Sequence, residues 1–191
     1  MYPALRSSSV SPLSLISTFP AASRALHVPQ TPDRQALTQI GQTVRARLSA
    51  DPQVHKLPSD QAEIYAMGGF LDETECWQLT TMIDTVAQPS TLFSSDNPTA
   101  DYRTSYTDNL DPHNSFVQMV SRRIDDLLGL PAEHGETLQG QRYLTGQQYK
   151  EHCDWFYASE RHWQREKRMG GQRCWTAMAY LNDVEEGGET C

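Results

Sequence analysis

The sequence predicts an α+β domain in which helices come first and an antiparallel sheet follows. Three observations carry that expectation. Segments with apolar residues three and four apart fill the first two-thirds of the chain, segments of strand character interrupted by glycine fill the last third, and the two kinds do not alternate. Strict alternation would have pointed to a parallel sheet. There is no internal repeat.

The elements follow in order. Residues 1–32 hold several serines and prolines, Arg6 and Arg24, and no acid before Asp33, so they are expected as a leader, either disordered or targeting. Residues 33–62 are expected to form an N-terminal helix and linker. Thr31-Pro32 offers a cap and a first-turn proline, Leu37, Ile40, Val44 and Leu48 make the apolar stripe, and the helix should end near Asp51-Pro52. Residues 63–191 are expected as the main domain. Glu63-Ile64-Tyr65 is extended and runs into Gly68-Gly69, after which Asp72 and Glu75 form a capping-box pattern. Cys76, Leu79, Ile83 and Val86 stripe the second helix, which Pro89 bounds. Residues 88–101 read as loop and Tyr102–Tyr106 as a strand. Asp111-Pro112 opens a third helix with Phe116, Val120, Ile124 and Leu127 on one face, stopped by Gly129 and Pro131. Leu138–Leu144, Tyr149–Trp155 and Cys174–Asn182 then read as strands around Gly146 and Gly170-Gly171, while the charged stretch Glu160–Arg168 reads as a solvated loop.

Composition narrows the function classes. The chain has 191 residues, enough for one domain with a real core. Sixteen lysines and arginines against 24 acids give a net charge of −8, so neither nucleic acid nor an anionic membrane is expected as a partner. No apolar run approaches the roughly 20 residues needed to cross a bilayer. The four cysteines, Cys76, Cys153, Cys174 and Cys191, show no paired spacing and are too few to staple such a domain, which fits a reducing, cytoplasmic setting.

The chemistry concentrates in Tyr143–Asp154. On an extended chain residues two apart face the same way, so His152 and Asp154 bring an imidazole nitrogen and a carboxylate oxygen toward one point. Two histidines and one carboxylate on one face of a ferrous ion leave positions open for co-substrate and oxygen, and this pair supplies two of those three ligands. Taken alone, H-x-D is a weak signal.

Its surroundings strengthen it. The run Gly170-Gly171-Gln172-Arg173-Cys174-Trp175-Thr176-Ala177-Met178-Ala179-Tyr180-Leu181-Asn182-Asp183-Val184-Glu185-Glu186-Gly187-Gly188-Glu189-Thr190 resembles the catalytic domain of the prolyl 4-hydroxylase branch of the iron(II)- and 2-oxoglutarate-dependent dioxygenases. Phe70–Cys76 is similar to the start of that domain and Arg103-Thr104-Ser105 to its early strand, so the likeness spans about 64–191. The resemblance implies a double-stranded β-helix (jelly roll) with supporting N-terminal helices and with its C-terminal strands missing. It makes His152 and Asp154 iron ligands, and Tyr143, Thr176 and Tyr180 the lining of the 2-oxoglutarate pocket, with Tyr149 beside the metal strand. It implies Fe(II), 2-oxoglutarate, O2 and ascorbate as cofactors or co-substrates. The expected reaction decarboxylates 2-oxoglutarate to succinate and hydroxylates a substrate carbon, often a prolyl residue in a peptide or protein. The family's second histidine and its basic carboxylate anchor fall beyond Cys191. Two alternatives stay open at this point: a truncated, inactive chain acting at most as a binding module, and a cupin-like zinc or manganese protein of other chemistry.

Overall fold

The computed structural model describes residues 12–16, 33–90, 102–160, 163–169 and 171–190. It is an α+β arrangement with antiparallel sheets, as expected, but the helices do not come first: strands precede or separate all of them along the chain, because each short hairpin or strand pairs locally or across the fold rather than in one late sheet. Pro12–Ile16 forms strand β1, and the remainder of the expected leader lies outside the described residues.

Helix α1 spans Arg34–Ala50 and starts two residues later than Thr31-Pro32 suggested, because Asp33 caps it by accepting the Ala36 N–H at 3.1 Å. Its buried face is Ala36, Ile40, Val44 and Leu48. Strands β2 (Val54–Leu57) and β3 (Ile64–Met67) pair antiparallel, Val54 opposite Met67. Only β3 was anticipated.

Helix α2 spans Glu73–Val86 and opens on the expected capping box. The Asp72 carboxylate accepts the Glu75 N–H at 2.8 Å, and Glu75 in turn accepts the Asp72 N–H at 3.0 Å. Arg123 closes a two-pronged pair on the same Glu75 carboxylate at 2.6 and 2.8 Å. The Arg123 hydrogen bond, then the Asp72 N–H, hold the Glu75 carboxyl down at about 2 from its usual 4.5. A folded-state value below the unfolded one means this contribution is full above pH 4.5 and fades as pH falls toward 2. We expect urea midpoints of the parent to drop across that window more steeply than those of a Glu75→Gln variant. Parallel acid limbs for the two proteins would refute the assignment.

Strands β4 (Gln88–Pro89), β5 (Tyr106–Asn109) and β6 (Gln139–Arg142) form a three-stranded antiparallel sheet with β5 in the middle. The strand expected at Tyr102–Tyr106 therefore lies further on, and Arg103 makes only an isolated bridge to Tyr149. Helix α3 spans Ser115–Leu128. Its cap is Asn114, whose side chain accepts the Phe116 and Val117 N–H groups, so Asp111-Pro112 forms the approach rather than the start. Gly129 ends it in the left-handed conformation, as expected of a glycine after the last turn. A short 3-10 turn follows at Ala132–His134.

Two expectations are corrected near the site. Tyr149–Trp155 is not a strand; past the Lys150 N–H it joins no ladder among the described residues, and the Lys150, Glu151 and Asp154 carbonyls are met by the side chains of His152, Tyr102 and Arg173. The charged stretch is not a loop throughout: Trp163–Met169 is helix α4, anchored by Trp163, which is 2% exposed. Strand β7 (Arg173–Met178) pairs antiparallel with β1.

Ile40, Val44, Leu48, Leu79, Ile83, Val117, Val120, Ile124, Leu128, Leu138 and Leu181 share one core. Helix α1 packs on α3 and β7 while α2 packs on β5 and β6, so the helices back the strands that carry the site.

Candidate metal and co-substrate site

The site is built where 148–157 meets β7. Tyr102–Thr104 and Gln148–Lys150 hold each other through Thr104 N–H to Gln148 carbonyl and Lys150 N–H to Tyr102 carbonyl, both 2.9 Å. That pairing fixes the chain entering His152.

His152 Nδ1 lies 2.8 Å from the Lys150 carbonyl oxygen. A carbonyl only accepts, so Nδ1 carries a proton, and the neutral ring held this way has its lone pair on Nε2. Nε2 lies 3.7 Å from Asp154 Oδ1, and both side chains are about 30% exposed. The other oxygen, Asp154 Oδ2, accepts the Thr176 hydroxyl at 2.9 Å from β7. One oxygen is thus engaged and the other turned toward the imidazole. Tyr149 stacks on His152 with centroids 3.5 Å apart and 17° between planes, and the Arg103 guanidinium sits 4.5 Å from the Tyr149 centroid.

The spacing of these donors suits a divalent metal. At bond lengths of about 2.1 Å, two ligands of one ion lie at most ~4.2 Å apart, and 3.7 Å falls inside that span. The tautomer leaves the correct nitrogen free, and each ligand has an outer partner, as metal ligands require. The pair therefore fits as two ligands of such an ion. No group of three or more histidine, cysteine or acidic side chains converges among the described residues. His162 lies outside them.

The other expected residues are distributed as follows. The Tyr143 phenol donates to Gln141 Oε1 at 2.9 Å, and burial raises its pKa, so it stays a neutral hydroxyl at neutral pH. Tyr149 is likewise pushed up by burial. Tyr180 is half exposed and shares a 2.6 Å hydrogen bond with the Thr190 hydroxyl. Thr176 is the one of the three pocket residues in direct contact with a metal-ligand candidate.

Several residues of the site carried no role in the sequence reading. Arg103 donates to Ser105 Oγ at 3.3 Å and Thr107 Oγ1 at 2.8 Å, joining a polar cluster with Ser90. Arg173 grips Glu136 at 2.5 and 2.8 Å, and desolvation still leaves the Glu136 carboxyl raised. Gln172, 2% exposed, is bonded to the Phe156 backbone. Gln172 and Arg173 lie inside the motif that signalled the site, but a residue type alone does not reveal a long-range partner.

No family model matches the chain. Among curated proteins of Arabidopsis thaliana, it is 42% identical over 78 residues to probable prolyl 4-hydroxylase 8, covering 41% of this chain and 25% of that protein. It is 32% identical over 147 residues to prolyl 4-hydroxylase 2, covering 73% of this chain and 46% of that protein. Probable prolyl 4-hydroxylase 7 matches at 29% identity over 173 residues, 82% of this chain and 51% of that protein. The chain spans about half, or less, of the length of these curated relatives.

Proposed function

Because the chain belongs to the prolyl 4-hydroxylase-type family, we propose that it carries part of the catalytic centre of an iron(II)- and 2-oxoglutarate-dependent dioxygenase that hydroxylates a prolyl residue of a peptide or protein. The observation that supports this reading is the convergence of His152 Nε2 and Asp154 Oδ1, each with its second polar atom already engaged. In this reading β6, β7 and the segment between them belong to a double-stranded β-helix. The free thiols of Cys76, Cys153 and Cys174 accord with a reducing, cytoplasmic compartment, and no helix among the described residues is long and apolar enough to cross a membrane.

His152 and Asp154 would hold the ferrous ion. When bound, iron with 2-oxoglutarate and dioxygen supplies the oxidative decarboxylation and the hydroxylation, with ascorbate restoring the ferrous state. The chain's own residues do the positioning. The Lys150 carbonyl keeps the proton on His152 Nδ1, and Thr176 keeps Asp154 Oδ1 facing inward. Tyr149 fixes the imidazole plane. Tyr143, as a neutral donor, with Tyr180 and Thr176, would line the co-substrate position. Tyr180, half exposed, would then stand on the open side of that position.

The test is anaerobic titration of the folded 191-residue chain with Fe(II), in parallel with a His152→Ala variant. We expect Fe(II) to bind the parent chain, to be removed by chelator, and to bind the variant far more weakly. A folded parent chain that binds Fe(II) no better than the His152→Ala variant overturns the proposal for this chain.

A further inference from the structure

We propose that Gln172 is a positioning residue for Asp154, acting as a clamp that closes the metal-bearing segment from its C-terminal side. The inference rests on the metal reading of His152 and Asp154. From Cys153 to Phe156 the chain has no regular secondary structure, yet Phe156 is buried. Main-chain groups beside a buried side chain need partners. Both are met by one carboxamide: Gln172 Oε1 accepts the Phe156 N–H at 2.7 Å, and Gln172 Nε2 donates to the Phe156 carbonyl at 2.8 Å. The side chain thus takes the place of a neighbouring strand. Its oxygen also accepts the Arg173 N–H at 3.1 Å, which fixes the amide's orientation.

The clamp belongs to a wider grip. Arg173 Nη1 reaches the Asp154 carbonyl at 3.5 Å, and its guanidinium lies 4.4 Å from the Phe156 centroid, held there by Glu136. Thr176 holds the Asp154 carboxylate. Carboxylate, carbonyl and following backbone are therefore gripped by three residues of one short stretch, 172–176. On the other side, Lys150 and His152 are already tied. Losing Thr176 would free one oxygen, whereas losing Gln172 would free the backbone that carries Asp154. The same clamp turns Phe156 inward and leaves Trp155 and Tyr157 outward at 43% and 56% exposure.

The experiment compares the parent chain with Gln172→Met, which keeps the volume and removes all three hydrogen bonds of the carboxamide. Mn2+ affinity is read from the spectrum of the free ion by electron paramagnetic resonance, and amide exchange is followed for 153–157. We expect Mn2+ binding to weaken about tenfold or more, as for loss of an outer partner of a ligand. Amides of 153–157 should exchange faster while those of α2 and α3 keep their protection. Affinity within twofold of the parent, with α2 and α3 protected, overturns the proposal. If Gln172→Met does not fold, Gln172→Asn, which keeps an amide but is one methylene short of spanning both Phe156 groups, decides on the same criteria. A parent chain that binds Mn2+ no better than a His152→Ala variant overturns the metal reading and this role with it.

Discussion

Replacing His152 by alanine should weaken binding of a divalent metal by more than ~100-fold. Loss of an outer partner of a metal ligand already costs roughly 10–100-fold, and here a ligand itself is removed from a pair. Asp154→Ala should act alike, and it also leaves the Thr176 hydroxyl without its carboxylate partner. Folding should be little affected, because both side chains are about 30% exposed and outside the core; changes within about 1 kcal/mol are expected for such positions. The measurement is metal titration of parent and variants with circular dichroism on the same samples. Unchanged affinity in both variants would place the metal elsewhere and remove the support for the proposed chemistry. A large loss of helix signal would show that the pair is structural.

The helices were legible because their signals are local. Asp72 and Glu75 stand three apart and do form the reciprocal cap, and Gly129 does end α3. The stripe Ile40, Val44, Leu48 is the buried face of α1. Strand positions were less legible, since a ladder depends on a neighbour that may be far along the chain. Tyr102–Tyr106 has strand composition, yet the ladder with β6 begins only at Tyr106, opposite Arg142. Tyr149–Trp155 has the composition too, but past Lys150 its carbonyls are met by side chains, Glu151 by the Tyr102 phenol and Asp154 by Arg173, and Gln172 takes Phe156 just beyond it. The convergence of His152 and Asp154 was inferred from strand alternation; the two do converge, held by Lys150 and Thr176 rather than by a ladder. Helix α4 was missed because six charged residues among Glu160–Arg168 outweigh one tryptophan in any composition count, while in space that tryptophan is the anchor.

The largest stability effect expected of a single added methyl is at Gly140, in the middle of β6. A Cβ there would overlap Ile83 Cγ1 of α2, with Ile83 Cδ1 and Cγ2 at 3.1 and 3.2 Å. Ile83 is 3% exposed and packed among Leu79, Ile124 and Leu138 in the core, so moving it aside disturbs those neighbours. Gly140→Ala should therefore cost about 1–3 kcal/mol by overpacking. Ile83→Ala alone should cost about 2–5 kcal/mol by leaving a cavity. Combined, the two changes relieve each other: the new methyl enters space that Ile83 has vacated. The double variant should then be more stable than the sum of the single losses by about 1 kcal/mol or more, a coupling typical of residues in contact. Urea denaturation of the four proteins measures it. Strict additivity would show that α2 does not rest on β6 through this contact. That contact bears on the site as well as on stability. Gln141, the next residue along β6, receives the Tyr143 phenol, so a shift of α2 against Gly140 would displace the strand that presents Tyr143.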